Sequence, residues 1–409
     1  MRSATSRIVT LRAVAAALLG ALLIAALGAS SGIAKSARSS KSPITIGAVV
    51  DLTNQMSSFD APALLAAQLE VKRINAAGGV DGRKLEIKVY NDELDATKTL
   101  QGAEQMVADH VDIGWVTCDV NYASPAVEQF INAGDLTISP CESTGEMGPV
   151  RFGAKGKLAF SFGNAAADVG AAIAQYAYQK RHWTTADVVT DNTLRYFQNV
   201  CSAFSSRFQQ LGGKIVGQES FTESDKTIGN VISRVNDQKA DVIAFCTAFA
   251  TDQPAFVAGL RSLKNETPII DAWSSDGSYW WPKRPPVTNF YFTTPASVFG
   301  NDPSPQVRAF EAALKAEGQP AETGGFINGA AAIQGIADAI RKAHGSTNGA
   351  KLARVMQRFH NLRTISGDVS FSAQSHTVFG RKYRLMEVND NKAKFLGLIK
   401  ASSPANIKP

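Results

Sequence analysis

The sequence predicts an α/β protein of two doubly wound lobes, and three observations carry that prediction. From Ile44 onward, short apolar runs alternate with amphipathic helical stretches, the pattern of parallel sheets covered by helices on both faces. The alternation passes through ten or more strands in two similar series, more than one open sheet holds comfortably. The length of 409 residues is enough for two or three domains, each with its own core.

In order along the chain, residues 44–50 read as a buried strand, with Pro43 before it and a polar loop from Asp51 to Asp60 after it. A helix follows, with Asp60 as expected N-cap, Pro62 in its first turn and an apolar stripe at Leu64, Ala67, Val71 and Ile74. Gly78 and Gly79 end it, and Leu85, Ile87 and Val89 alternate as a second strand. A helix over 95–108 and a strand over 111–117 come next, then a helix opened by Ser124 as N-cap and Pro125 as first residue, then a strand over 136–139. The second series starts with a helix over 168–180 and a strand over 186–190. A helix carrying Phe197, Val200, Phe204, Phe208 and Leu211 on one face runs to Gly212-Gly213. Strand 214–220, helix 227–237, strand 240–247, helix 253–263 and strand 268–273 continue it. The sequence from Asn289, with a strand over 289–294 and helices near 305–317 and 325–344, is expected to complete the first domain. Terminal strands near 367–371, 382–388 and 395–399 read as antiparallel.

A composition of 44% hydrophobic and 19% charged residues, with no long low-complexity tract, excludes collagen-like, coiled-coil, disordered and polytopic membrane classes. Of the formal charge of +6, three units come from Arg2, Arg7 and Arg12, and residues 1–34 hold no acid. Lys35, Arg38 and Lys41 follow in a Ser-rich stretch, so no basic stripe remains for nucleic acid. The three arginines precede an uninterrupted apolar run over 13–29 and the small residues Ser30, Ser31, Gly32 and Ala34. That is the layout of an export signal, expected to be cleaved near Ala34; an uncleaved anchor is the alternative. The first cysteine is Cys118, too far on to take a lipid at the cleavage zone, so the expected location is free in an oxidising compartment, most simply a bacterial periplasm.

No cofactor or metal is expected. The sequence has no P-loop, no G-x-S-x-G elbow and no G-x-G-x-x-G fingerprint. Four cysteines (Cys118, Cys141, Cys201, Cys246) lack metal-ligand spacing, and their even number permits two disulfides in three connectivities. His110, His182, His344, His360 and His376 are scattered, and none falls in an expected strand-end loop, which argues against an exported hydrolase. In open sheets ligands bind beyond the carboxyl ends of the strands, so two facing lobes put the site in the cleft between them.

The stretch Ile74-Asn75-Ala76-Ala77-Gly78-Gly79-Val80-Asp81-Gly82-Arg83, followed by a strand and Asn91-Asp92-Glu93, resembles a hallmark of one family. Leu52-Thr53 after the first strand, Ile138-Ser139-Pro140 after the fourth, and Tyr196 shortly after the strand end at Asp191 extend the match. The chain resembles the branched-chain amino acid type of periplasmic substrate-binding protein (leucine/isoleucine/valine-binding protein-like) over nearly all of its length beyond the N-terminal segment. The resemblance implies a type I periplasmic-binding-protein fold with a hinge of three crossovers. It also implies a monomer, not an enzyme, that closes on a small-molecule ligand and delivers it to the membrane subunits of an ABC importer. The implied division is 1–34 signal peptide, 35–43 linker, 44–164 plus 294–365 first lobe, 165–293 plus 366–400 second lobe, and 401–409 disordered tail.

On this resemblance the first lobe contacts ligand from the stretches 55–60, 118–122 and 141–143, with Phe59, Asp119, Asn121, Tyr122, Cys141 and Ser143 as candidates. Backbone N–H groups and the Ser143 hydroxyl suit a carboxylate or carbonyl oxygen, although Ser143 also reads as a plain turn residue. The second stretch departs from the family's serine-rich pattern: Asp119 facing the cleft would oppose a ligand carboxylate, whereas Asp119 capping the next helix would not. In the second lobe Asp168 matches a polar residue at the crossover, Tyr196 and Phe249 match cleft aromatics, and an acid near Trp273 matches an ammonium anchor. That acid is out of register, so Asp271, Asp276 or neither fills the place. Trp273, Tyr279, Trp280 and Trp281 form either an aromatic wall for a flat or apolar ligand, or loop packing beneath Pro282 and Pro285-Pro286.

Cys118 and Cys141 end strands expected to be neighbours, and Cys201 and Cys246 both fall in the second lobe. One bridge per lobe, Cys118–Cys141 and Cys201–Cys246, is the preferred pairing, with buried free thiols as the alternative. Gly325 to Gly329 is a G-x-x-x-G read as helix packing, and Asn265-Glu266-Thr267 is a formal glycosylation acceptor. A sensor presenting the same fold to a signalling partner is the second functional reading.

Overall fold

The structure is a computed structural model that describes residues 42–402. The expected signal peptide, most of the 35–43 linker and most of the 401–409 tail lie outside the described residues. No helix among the described residues is long and apolar enough to cross a membrane.

The first lobe is built from β1 (Ile44–Val50), α1 (Ser57–Ala76), β2 (Leu85–Asn91), α2 (Ala96–Ala108), β3 (Ile113–Val116), α3 (Val120–Ala133), β4 (Leu136–Ser139), a single turn α4 (Pro149–Phe152) and β5 (Ala159–Ser161). Its five strands are parallel in the order β2-β1-β3-β4-β5. The short runs ITIGAVV and IGWV are almost wholly apolar because helices cover both faces of a parallel sheet. Trp115, Phe130, Phe160 and Phe162 fill that core.

The second lobe follows with α5 (Ala166–Gln175), β6 (Thr185–Asp191), α6 (Arg195–Gln210), β7 (Lys214–Phe221), α7 (Ile228–Gln238), β8 (Val242–Cys246), α8 (Asp252–Ser262), β9 (Ile269–Asp271) and β10 (Phe290–Thr294). The chain then returns to the first lobe with α9 (Pro305–Ala316), α10 (Phe326–Lys342), α11 (Gly349–Met356) and the hairpin β11 (Leu362–Thr364) and β12 (Gly367–Val369). It crosses a third time to β13 (Tyr383–Asn389) and β14 (Lys392–Ile399), which close a seven-stranded sheet of order β14-β13-β10-β9-β8-β6-β7. Two α/β lobes joined by three crossovers make the type I periplasmic-binding-protein fold.

Four expectations are corrected by this architecture. The strand over 289–294 does not complete the first domain: β10 pairs with β9 and β13 in the second sheet. The third crossing comes later than 365/366, because Val369, Phe371 and Val378 belong to the first core. Residues 401 and 402 are not part of a disordered tail, since Ala401 is buried in the second lobe and the Ser402 N–H donates to Gln175 Oε1 at 2.9 Å. Helices α1 and α3 begin earlier than expected, because the residues read as caps, Asp60 and Ser124, turn elsewhere. Asp60 bonds other loops, and the Ser124 hydroxyl donates back to the Val120 carbonyl at 2.6 Å.

The hallmark stretch is a structural joint. Asn75 donates from Nδ2 to the Leu85 carbonyl and accepts from the Leu85 N–H, both at 2.8 Å, which ties the end of α1 to the start of β2. Gly78 and Gly79 have φ of +104° and +80°, the left-handed conformation that ends a helix and favours glycine. Arg83 donates from Nε to the Ser42 carbonyl at 2.8 Å and so fastens the entry to β1. Gly329 in α10 sits on α1, where a Cβ would stand 1.8 Å from the Ala63 carbonyl oxygen, so the G-x-x-x-G serves helix packing. Each lobe holds one disulfide: Cys118 is bonded to Cys141 and Cys201 to Cys246, with Cα separations of 4.8 and 5.9 Å.

Candidate functional site

The strand ends of the two sheets face each other across the cleft. On the first-lobe side, the loop after β1 is held by two buried carboxylates. Asp51 accepts from the N–H groups of Thr53, Asn54 and Met56 at 2.8–3.0 Å. Asp60 accepts from the N–H of Asp51 at 3.0 Å, from the N–H of Cys118 at 2.8 Å and from the Thr117 hydroxyl. Burial pushes Asp60 up to about 8 against the lowering effect of these donors. The bonds link the first and third strand-end loops and present Met56 and Phe59 to the cleft.

The Cys118–Cys141 bridge forms the floor beside them. Asp60 lies within 4.8 Å of both sulfurs, but those sulfurs are bonded to each other and the carboxylate to backbone donors, so the trio offers no metal ligands. Asp119 caps α3, its Oδ1 accepting from the N–H of Asn121 at 2.8 Å and of Tyr122 at 3.3 Å. Burial raises its pKa, and the charge that would oppose a ligand carboxylate is spent on the helix end. The Ser143 hydroxyl donates to the Cys141 carbonyl at 2.8 Å and is buried.

The second-lobe side is aromatic. Tyr196 opens α6 and stands 5.9 Å, ring to ring, from Trp273, which meets Phe59 edge-on at 5.3 Å across the cleft. Together with Met56, Leu194, Phe197, Ala248 and the disulfide, these enclose a cavity of about 20 Å³. That volume is about one water molecule. Two buried hydroxyls stand there: Ser274 Oγ, 3% exposed and without a hydrogen-bond partner, and the Tyr196 phenol, 6% exposed, which has only a loose polar contact with Trp273. Burial raises the Tyr196 pKa well above its ordinary value, so the phenol stays a neutral donor.

Both aspartates near Trp273 are committed to the fold. Asp271 accepts from the Ala272 N–H at 2.6 Å and from the Ser275 hydroxyl. Asp276 accepts from the Gly277 N–H and the Thr294 hydroxyl, both at 2.7 Å, and from the Gly324 N–H, which ties the loop to the second crossover and the first lobe. Burial lifts Asp276 to about 7. Neither is a free anchor for an ammonium group.

Of the expected site residues, the cleft gathers Phe59, Asp119, Cys141, Tyr196 and Trp273. Tyr122 packs against the interlobe cluster, and Phe249 lies one layer back, edge-on to Phe197 at 5.7 Å. Asn121 is exposed to solvent, and Ser143 faces its own loop. Asp168 and Asp276 are at the hinge: Asp168 Oδ2 accepts from the Gly380 N–H at 2.9 Å and the Tyr383 hydroxyl at 3.1 Å. Trp280 and Trp281 are loop packing, Trp280 donating to the Ser275 carbonyl at 3.0 Å and Trp281 stacking on Phe299. His376 is buried, stacked on Phe160 at 4.0 Å. Leu194, Phe197 and Ser274 were missed as cleft residues, and Met56 falls within the expected stretch 55–60 without being singled out. Met56 and Leu194 are the residues immediately before α1 and α6, a place the strand-end rule alone singles out.

The sequence model of the family described as periplasmic binding protein matches residues 43–393. The Leu/Ile/Val-binding protein homolog 3 of Brucella melitensis biotype 1 is 24% identical over 335 residues, covering 80% of this chain and 87% of that protein. Among solved structures, the branched-chain amino acid transporter substrate binding protein LivJ from Streptococcus pneumoniae, in complex with isoleucine, matches with a TM-score of 0.76 at 20% identity, covering 88% of this chain and 99% of the other. An R. palustris solute binding protein of an ABC transporter, in complex with benzoate, matches with a TM-score of 0.73 at 16% identity, covering 89% of this chain and 98% of the other. At these identities the structural likenesses carry the fold.

Proposed function

The chain belongs to the periplasmic binding proteins of the branched-chain amino acid type, and from that membership we propose that it captures a small apolar or aromatic molecule and delivers it to the membrane subunits of an ABC importer. The family is extracytoplasmic, and the two disulfides suit an oxidising compartment. One observation carries the ligand class: the cleft is walled by Met56, Phe59, Leu194, Tyr196, Phe197 and Trp273, while its neighbouring carboxylates are bonded inside the fold. A zwitterionic amino acid would bring its ammonium group to walls whose one carboxylate, Asp119, caps α3 and is pushed by burial toward its neutral form, and a charge left poorly paired there is costly. The unpartnered Ser274 hydroxyl, on the same wall as the Tyr196 phenol, calls for one oxygen function on the ligand, a hydroxyl, carbonyl or carboxyl group.

The cavity of about 20 Å³ sets the order of events. Ligand enters when the lobes part and is enclosed as they return, its contacts with both walls favouring the closed form that the importer subunits recognise.

A thermal-shift screen of the purified mature protein tests this, with aliphatic amino acids, amides, aromatic acids and phenols as the panel. A ligand at ~100 times its Kd adds ~2.7 kcal/mol, a readily measured shift. Stabilisation by aromatic or apolar compounds with one oxygen group, well above that by leucine, is the expected result. Equal stabilisation by leucine would overturn the ligand class, and a flat panel would overturn small-molecule capture.

A further inference from the structure

The hinge side of the molecule carries a further cavity, of about 630 Å³, which shares no lining residue with the cleft. Both lobes contribute to it: the start of α9 and the β11–β12 hairpin from the first, the end of β14 from the second, and the third crossover between them. Its walls are cationic. Lys382 and Lys400 are exposed on it, and among the described ion pairs neither has a carboxylate partner. Arg381 is 4% exposed; its Nε and Nη1 donate to carbonyl and amide oxygens, and Nη2 has no partner.

Negative charge nearby is scant. Asp368 is the acid on the wall, and the buried Asp302 is matched by Arg384 at 2.9 Å. Asp168 acts on Lys400 from inside the hinge, with one oxygen already accepting from Gly380 and Tyr383. Helix α9, 12 residues long, opens its N-terminus on the same cavity and adds its positive dipole end. The rim is also apolar: Phe379 is 42% exposed and Leu398 48% exposed, two of the seven large apolar side chains that stand exposed among the described residues. Their placement on one cationic cavity fits a ligand with an apolar body and an anionic head.

From this arrangement we infer that the hinge cavity is a second binding site, for a small soluble organic anion such as a phosphate monoester or carboxylate with an apolar body. The head meets Lys382, Lys400 and the α9 N-terminus, and the body lies on Phe379 and Leu398. Because the walls belong to both lobes, occupancy is linked to the opening and closing of the cleft on the opposite face, and each ligand changes the other's affinity by the same factor.

Calorimetric titration of the full mature protein with inorganic phosphate and with hexyl phosphate tests the site. Hexyl phosphate is expected to bind about tenfold or more tighter than inorganic phosphate, from the apolar contact. The double variant Lys382→Gln/Lys400→Gln is expected to weaken hexyl phosphate about tenfold or more, through loss of charge-assisted hydrogen bonds. The control Lys214→Gln/Lys226→Gln, on exposed positions of the second lobe, is expected to leave it unchanged. Equal weakening by both variants would reduce the effect to net charge and overturn the site, as would no binding by the wild type. Binding to phosphatidylglycerol-containing vesicles, without binding of hexyl phosphate, would replace the soluble anion by a lipid surface and overturn the proposal too. The binding role of the cleft stands or falls separately, on the metabolite screen.

Discussion

The two faces where the lobes meet are built from opposite chemistry. At the cleft, Phe59, Tyr196, Trp273 and the Cys118–Cys141 bridge touch through apolar surface. At the hinge, the three crossovers are laced by directional polar bonds. Arg381 donates to the Phe162 carbonyl at 3.0 Å and to Asn164 Oδ1 at 3.1 Å, joining the first and third crossovers. Arg384 forms a two-pronged pair with Asp302 at 2.9 and 3.1 Å and also donates to the Pro295 carbonyl, joining the second and third. Asp168 closes the set through Gly380 and Tyr383. Strong polar bonds stay intact where the chain must only bend, and weakly directional contacts sit where the surfaces must part. Separating the cleft walls then exposes apolar area and few buried polar groups, a cost that ligand contacts offset on closing.

The largest expected effect breaks the hinge. Arg384→Leu leaves Asp302 buried without its cation, and removing one partner of a buried pair costs about 3–5 kcal/mol. Urea denaturation should show a loss of about 3 kcal/mol, the Ser297 and Ser304 N–H groups still donating to Asp302. A loss below about 1 kcal/mol would mean the arginine lacing does not hold the crossovers.

Next in size is the pH dependence, which separates the carboxylates of the two faces from ordinary exposed ones. Burial raises Asp60 to about 8 and Glu142 and Asp276 to about 7, from ordinary values of 3.8 for aspartate and 4.5 for glutamate. In the range between, the folded state holds more protons than the unfolded state, so stability falls as pH rises. The contribution is fully present below about 4 and is lost as pH passes through about 7 to 8. Thermal melts should therefore show a higher Tm near pH 5 than near pH 8, by a free energy on the order of a few kcal/mol. A Tm that is flat or rises over that range would show these carboxylates ionised in the fold.

How much of this was legible in the sequence follows from which interactions are local. The alternation of strands and helices and the two lobes come from periodicity, and the structure shows them, with a cavity at the strand ends where the site is expected. The cysteine pairs also follow from adjacent strands and a shared lobe. The partners of Asp60, Asp168 and Asp276 do not, because they are set by tertiary bonds, such as Asp276 to Gly324, 48 positions away, and Asp168 to Gly380, 212 positions away. Asp60 looked like an N-cap because it is an aspartate before a proline-started run, yet it bonds Cys118 instead. The resemblance carried Asp168 and an acid near Trp273 into the cleft by position, and the fold turned both to the hinge. Leu194 escaped, and Met56 was not singled out within the stretch 55–60, because an apolar loop residue carries no chemical signal beyond its place before a helix.

A smaller effect sharpens the reading of the cleft itself. Tyr196→Phe removes a buried hydroxyl whose only polar contact is a loose one with Trp273, so stability should change by less than about 1 kcal/mol. Affinity for the ligand found in the screen should fall about tenfold, a single hydrogen bond's worth, as measured by calorimetry. A stability loss above about 1 kcal/mol with unchanged affinity would show the phenol to be a structural group.

The smallest expected effect concerns the one ion pair that crosses the mouth of the cleft among the described residues. Glu146, on the first lobe, meets Arg195 at the start of α6 at 3.3 Å, and Glu146 is also held by Arg151 at 2.7 Å within its own lobe. Arg195 is about half exposed, with side-chain accessibility of 48%, so the pair is solvated and screened, worth about 0.2–1 kcal/mol. Because Arg151 keeps Glu146 paired, Arg195→Gln leaves no buried charge behind, and the closed form should lose only that cross-lobe attraction. A shift of this size changes the closed-to-open ratio by about 1.4- to 5-fold, with little change in unfolding free energy. Small-angle scattering of the ligand-free variant should then show a slightly larger radius of gyration, reversed by ligand. An effect on folding as large as that of Arg384→Leu would place the mouth of the cleft in the same mechanical class as the hinge and remove the contrast between them.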